Sequence, residues 1–199
     1  MNRILSISLI SLLFAFTTSI DIPQKPEDIS PLLIGETIPD THPKSLDGKP
    51  ISLLNKVAEK PTILVFYRGG WCPYCSRQLA ELRMLEPDLE RMGYQLIAIS
   101  TDSPENLKNT LDKNQLKYTL LSDADVTVAK AFGLAFKAHA AYDATLEKGS
   151  NGKNTEKLLP VPAVFLLNQQ GVIKFEYINP NFKERLSGKL LKAAAENTL

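Results

Sequence analysis

The feature that most restricts this chain is a junction. Thr62-Ile63-Leu64-Val65-Phe66-Tyr67 is an unbroken β-branched and aromatic run, Arg68-Gly69-Gly70 ends it, and Trp71-Cys72-Pro73-Tyr74-Cys75 opens a segment of helical periodicity. A continuous apolar run between turn signals is expected for a central strand buried on both faces. Downstream, Leu79, Leu82, Leu85, Leu89 and Met92 recur every three or four residues, with Gly93 placed to stop the helix. Pro87 falls inside this pattern and is expected to kink it, because it removes one hydrogen bond. A strand that feeds a helix through a glycine turn sets that turn at the carboxyl edge of the sheet, over the helix N-terminus. Free N–H groups and the helix dipole there favour an anion.

A thiolate is such an anion, and Cys72 and Cys75 are the only cysteines in the chain. In Cys-X-X-Cys pairs at helix starts the thiol pKa falls from about 8.5 to roughly 3.5–7.5. Residues i and i+3 of a first turn also face each other at a separation suited to a disulfide, whose Cα atoms lie about 4.4–6.8 Å apart. Pro73 lacks only a donor that the first turn leaves unused. Other uses of the pair are weaker. A zinc site needs four ligands, and the only histidines, His42 and His139, are distant in sequence and read as surface residues. Covalent haem attachment needs histidine after the second cysteine, where Ser76 stands. A purely structural disulfide closing so short a loop would constrain the unfolded chain little. The pair therefore reads as a reactive dithiol, with no metal or other cofactor implied.

The flanking sequence frames this junction. Met1-Asn2-Arg3 followed by the apolar run Ile4 to Phe16 has the layout of a secretory signal peptide, too short to span a bilayer, and residues 1–19 are assigned to it. Export to a periplasmic or extracellular compartment follows, with no stable membrane span after its removal. Residues 20–199 read as one domain. Lys+Arg at 23 nearly balance Asp+Glu at 22, and both are dispersed, so there is no electrostatic case for nucleic acid or an anionic membrane surface.

Along that domain, residues 20–50 are proline-rich and read as an extended lead-in, with Asp47-Gly48 suggesting a small hairpin before Ile51-Ser52-Leu53-Leu54. Tyr94 to Ser100 reads as a second buried strand, Asp102 to about Lys113 as a capped helix, Tyr118 to Leu121 as a strand and Ala124 to Phe132 as a helix closed by Gly133. Lys137 to Leu159 turns polar and reads as a surface insertion. Val161 to Leu167 and Val172 to Ile178 form a hairpin, and Asn181 to Asn197 a last helix. This order predicts an α/β fold with a mixed central sheet and helices on both faces.

The stretch from Ile34-Gly35 through Gly133 resembles the alkyl hydroperoxide reductase and thiol-specific antioxidant (AhpC/TSA) family, in particular its peroxiredoxin-like branch carrying Phe-Tyr-Arg-Gly-Gly-Trp-Cys-Pro-Tyr-Cys, here Phe66 to Cys75. Ala98-Ile99-Ser100-Thr101-Asp102-Ser103 and Leu121-Ser122-Asp123 before Phe132-Gly133-Leu134 support it. The resemblance implies a thioredoxin-like fold, a hydroperoxide substrate and an external, thioredoxin-like dithiol as electron donor. It also exposes departures. The family's Pro-x-x-x-Thr-x-x-Cys, laid on Cys75, puts Arg68 at the proline and Cys72 at the threonine. The family's distant arginine falls near Val161-Pro162, which instead resembles the cis-proline of thioredoxins. Arg68 either supplies a guanidinium from the other side or has a surface or loop-anchoring role.

Two mechanisms stay open at this point. In a peroxidase, Cys75 attacks a hydroperoxide and Cys72 closes the disulfide. In a thiol-disulfide oxidoreductase, Cys72 attacks a protein disulfide, Cys75 resolves it, and Trp71 with the loop before Pro162 forms the docking surface.

Overall fold

A computed structural model describes residues 21–198, and the expected signal peptide lies outside these described residues. The backbone runs α1 (Leu53–Glu59), β1 (Thr62–Tyr67), α2 (Pro73–Arg91), β2 (Gln95–Ser100), α3 (Pro104–Asn114), β3 (Thr119–Ser122), α4 (Thr127–Ala131), β4 (Ala135–Lys137), α5 (Asp143–Ser150), β5 (Leu158–Pro160), β6 (Ala163–Leu167), β7 (Ile173–Ile178) and α6 (Gly188–Glu196). Five strands form one sheet in the order β3-β2-β1-β6-β7. β1 and β3 run parallel to β2, whereas β6 runs antiparallel to both β1 and β7. This is the mixed sheet expected from the element order.

Alternation along the strands explains the continuous apolar runs. Ile63, Val65 and Tyr67 of β1 point into one core with Ala98 and Val164, and are covered by Leu79, Leu82 and Leu89 of α2, Leu107 of α3 and Leu191 of α6. Leu64 and Phe66 point into a second core with Ile97, Ile99 and Phe165, under Leu53 and Val57 of α1 and Val128 of α4. Both faces are thus buried, which is why β1 is an unbroken apolar and aromatic run. Phe66, Phe132 and Phe165 anchor the second core with ring centroids 4.8 to 6.1 Å apart. α2 continues to Arg91 through Pro87, so the proline does not end the helix.

The small hairpin at Asp47-Gly48 forms, with an antiparallel bridge between Lys44 and Pro50 and Ser45 N–H to Lys49 C=O at 2.9 Å, and the chain then enters α1, not anticipated from the sequence and capped by the Ser52 hydroxyl on Asn55 N–H at 3.2 Å. Three expectations are corrected. Residues 137–159 are not an unstructured surface insertion. β4 and β5 pair there, Leu146 and Leu159 are buried, and the buried Asn154 amide binds Leu158 N–H and C=O at 2.9 and 2.7 Å. Side-chain hydrogen bonds replace the periodicity that sequence reading relies on. The last helix begins at Gly188, because Ser187 caps it and the Asn179 and Asn181 side chains take the N–H groups of Asn181 and Lys183. Finally, no cis peptide bond occurs among the described residues, so the cis geometry expected at Val161-Pro162 is absent. Val161 N–H is held by Leu134 C=O at 2.9 Å, and the chain passes extended into β6 without a turn.

Two predictions follow from the packing. Phe132→Ala should cost about 3–5 kcal/mol, read as a lower urea midpoint, because the surrounding rings cannot collapse fully into the space. Asp123 is fully buried and caps α4, its oxygens accepting Val128 and Ala129 N–H at 2.8 Å each. Burial raises its pKa to about 7 against the lowering effect of those bonds. The folded state therefore binds this proton more tightly than the unfolded chain, so the contribution is fully present below about pH 4 and is lost as pH rises through about 7. Asp123→Asn should flatten the fall in urea midpoint across that window.

Candidate active site

The loop after β1 is fixed from beneath by the end of β2. Thr101 Oγ1 donates to Arg68 C=O at 3.1 Å, and Asp102 Oδ2 accepts Gly70 N–H at 2.7 Å. The two glycines are steric requirements. Gly69 has φ +153°, and a Cβ there would lie 2.3 Å from Trp71 Nε1; a Cβ on Gly70 would lie 2.0 Å from Thr110 Oγ1. A side chain at either position would push the cysteine-bearing turn off the sheet.

Cys72 is the N-cap residue of α2 and Cys75 lies in its first turn, as the sequence expects. Both are reduced and buried, Cys72 at 1% and Cys75 at 0% exposure. Their environments differ. Cys72 is held down to about 6, chiefly by a hydrogen bond from the Cys75 thiol, then by the Cys75 N–H, the charge of Arg68 and the Tyr74 N–H, against the cost of burial. Cys75 is pushed up, first by burial and then by its bond to Cys72 and the charge there. The two shifts run in opposite directions, so Cys72 is the more readily ionised sulfur of the pair.

Two guanidinium groups flank this pair. Arg68 is only 3% exposed, which removes the surface role considered for it. Its guanidinium carbon lies 5.1, 4.4 and 4.2 Å from the ring centroids of Trp71, Tyr142 and Phe182, and its Nε has no hydrogen-bond partner. Such stacking holds a cation in apolar surroundings. Arg185 was not singled out by sequence. It comes from the irregular segment before α6, places Nη2 3.6 Å from Cys75 Sγ and anchors Nη1 on the Phe182 and Glu184 carbonyls. It lies 110 residues from Cys75, and no local pattern ties the two together.

The remaining expected residues divide between two cavities. Pro162 joins Arg68, Tyr142 and Phe182 around an apolar cavity of about 170 Å³. Trp71 packs on Tyr142 with centroids 5.7 Å apart and walls a separate cleft of about 470 Å³ between α3 and α5. His139 borders the smaller cavity, where its Nδ1 accepts Ala141 N–H at 3.1 Å, and exposed His42 lies elsewhere. No helix among the described residues is long and apolar enough to cross a membrane.

Comparison with known proteins agrees with this architecture. The model of the AhpC/TSA family matches residues 34–176. The chain is 29% identical over 155 residues to Peroxiredoxin Bcp of Escherichia coli, covering 78% of this chain and 90% of that protein. It is 28% identical over 158 residues to chloroplastic peroxiredoxin Q of Sedum lineare, covering 79% and 75%. Among solved structures, reduced Prx3 of Vibrio vulnificus in complex with hydrogen peroxide superposes with a TM-score of 0.71 at 18% identity, over 82% of this chain and 99% of that one. Peroxiredoxin Q of Xanthomonas campestris gives 0.63 at 20% identity, over 85% and 97%. These superpositions show the shared thioredoxin-like fold. Since the family model spans most of the chain, including the strand, the glycine turn and both cysteines, the protein belongs to the AhpC/TSA family.

Proposed function

We propose that this protein is a thiol-dependent peroxidase in which Cys72 attacks the hydroperoxide, Cys75 closes the disulfide and an external dithiol restores the pair. Kinship with peroxiredoxins makes it an oxidoreductase of this kind. The order of the two sulfurs rests on one asymmetry: Cys72, at the head of the helix and beside the Arg68 charge, has its pKa lowered, whereas burial pushes that of Cys75 up. This order reverses the one obtained by laying the family's pattern on Cys75.

The chemistry follows from that asymmetry. The Cys72 thiolate attacks the terminal oxygen of ROOH, the O–O bond breaks, and RO⁻ takes a proton to leave as an alcohol or water. Arg68 supports this step with a cation and an unpartnered Nε, as the charge moves onto the departing oxygen. The apolar cavity beside Arg68 and Pro162 has room for R. The Cys75 thiolate, with Arg185 beside it, then attacks the Cys72 sulfenic acid, displacing hydroxide, which leaves as water. Two electrons and two protons from the external dithiol reopen the disulfide. At 1% exposure, Cys72 Sγ is more readily reached by a small peroxide than by a disulfide on a folded protein, which weighs against the exchange reading. With residues 1–19 read as a signal peptide, the activity belongs outside the cytosol.

Stopped-flow oxidation by hydrogen peroxide tests the assignment. With a thiol pKa near 6, Cys72 is mostly ionised at pH 7, which alone gives it about a 30-fold advantage over an ordinary thiol. Cys72→Ser should abolish the reaction, whereas Cys75→Ser should react once and stop at the sulfenic acid. The opposite pattern would reverse the order of the sulfurs. Thiolate absorbance at 240 nm offers a second check. The wild-type midpoint should lie near pH 6; Cys75→Ala should raise it by removing the largest stabilising partner, and Arg68→Met should raise it by less.

A further inference from the structure

The cleft between α3 and α5, about 470 Å³ in volume, has no part in the peroxide chemistry. Its size is that of a small-molecule site, which encloses about 300–1,000 Å³. At one end the two helices are stapled together, because Asn106 Nδ2 donates to Lys148 and Gly149 C=O at 3.0 and 2.8 Å, and Ser103 N–H donates to Gly149 C=O at 2.8 Å. From that closed end the cleft follows one face of α3, where Asn106, Asn109, Thr110 and Lys113 recur at helical spacing. Seven residues of helix carry it about 10 Å. A Cβ on Gly149 would lie 3.0 Å from Asp102 Oδ1, so the glycine keeps a side chain off that oxygen.

Charge is divided within this space. Asp102, 2% exposed and the only acid of the lining, forms the floor at the closed end. Its Oδ2 accepts Gly70 N–H at 2.7 Å, and its Oδ1 takes no hydrogen bond of ordinary length and angle. Burial raises its pKa to about 6, which leaves it mostly a carboxylate at neutral pH. Lys113 stands near the far end of α3 and Lys148 on the facing wall, both exposed and neither in an ion pair among the described residues. A buried negative group thus faces exposed positive ones at the mouth. A nucleotide or other polyanion meets the carboxylate on the floor, and a divalent cation finds a single carboxylate where it needs several oxygen ligands. An apolar ligand leaves Asp102 desolvated and unpaired. A single amino acid holds both its charges on one carbon and does not span the length. An extended chain advances about 3.3–3.6 Å per residue, so roughly three residues do.

We infer that the cleft between α3 and α5 binds a short peptide with free ends, its terminal ammonium on Asp102 and its terminal carboxylate toward Lys113 and Lys148. The Asn109 amide, exposed on the α3 wall, offers a donor and an acceptor to a peptide group between those ends. Trp71 closes the cleft on the side of the cysteine turn, and its Nε1–H has no acceptor. The same ring lies 5.1 Å from the Arg68 guanidinium carbon, so a bound peptide sits one ring away from the charge that acts on Cys72. Peptide binding here is independent of which sulfur attacks the peroxide.

Trp71 is the single tryptophan of the chain, so its fluorescence reports on this wall directly. Titration of the reduced full chain with trialanine at neutral pH should give a saturable change. N-acetyl-trialanine and trialanine amide, each lacking one terminal charge, should bind about tenfold more weakly, as the loss of one charge-assisted hydrogen bond predicts. Lys113→Glu, an exposed substitution outside the core, should weaken trialanine by a similar factor and leave the amide unaffected. Asp102→Asn should weaken trialanine but not its acetylated form. Near-UV circular dichroism checks that this variant keeps the turn at Gly70, and the acetylated peptide tests the same contact on the unaltered protein. Absence of a saturable response to trialanine overturns the inference. So does binding of either blocked peptide as tightly as the free one, or an equal effect of Lys113→Glu on trialanine and its amide. None of these arms contains a peroxide, so their failure is distinct from failure of the stopped-flow experiment.

Discussion

Strand β1 is hydrogen-bonded on both edges and covered on both faces, and the candidate site is built on its end. Pairing with β2 and β6 fixes its height in the sheet. Alternate side chains in two separate cores fix its roll. A one-residue slip would exchange the faces and place Tyr67 among the phenylalanines of the second core. With β1 held in this way, Arg68, Gly69 and Gly70 have only one place to go, over the end of β2, where Thr101 and Asp102 hold them. The position of Cys72 at the head of α2 is a consequence of the sheet.

On that rigid base, the electrostatics separate two chemically identical residues. Both sulfurs are buried, and burial raises a thiol pKa. Cys72 escapes this because it occupies the N-cap position, close to Cys75 and the first-turn N–H groups and within the field of the Arg68 guanidinium. Cys75, one turn further in, does not. A buried cation has its own desolvation cost, and three aromatic faces around Arg68 offset part of it. Tyr142 contributes one of those faces from the segment after β4, and α5 closes the neighbouring cleft. Residues 137–159, polar and aperiodic in sequence, are therefore part of the site's walls.

The strand, the glycine turn and the cysteine pair were legible because each is encoded within a few consecutive residues. The sheet order followed as readily, since two parallel crossovers and a hairpin leave few topologies. Helix α1 was missed because Ser52, its cap, falls directly after a turn signal that reads as a hairpin. The segment 137–159 was misread because Asn154 and Ser150 satisfy its backbone through side chains, which leaves no period of two or 3.6. Arg68 was named, but its burial depends on rings from three different parts of the chain.

By itself, then, the sequence determined the family, the fold class and the placing of a Cys-X-X-Cys pair at a helix start, because strand period, turn chemistry and cysteine spacing are local properties of the chain. Only the tertiary structure made the two sulfurs unequal. That depends on Arg68, held among Trp71, Tyr142 and Phe182 and lowering Cys72, and on the deeper burial of Cys75, which outweighs the opposing charge of Arg185 beside it. Coulombic and desolvation effects act through distance in space, and the groups that exert them are separated in sequence by up to 110 residues.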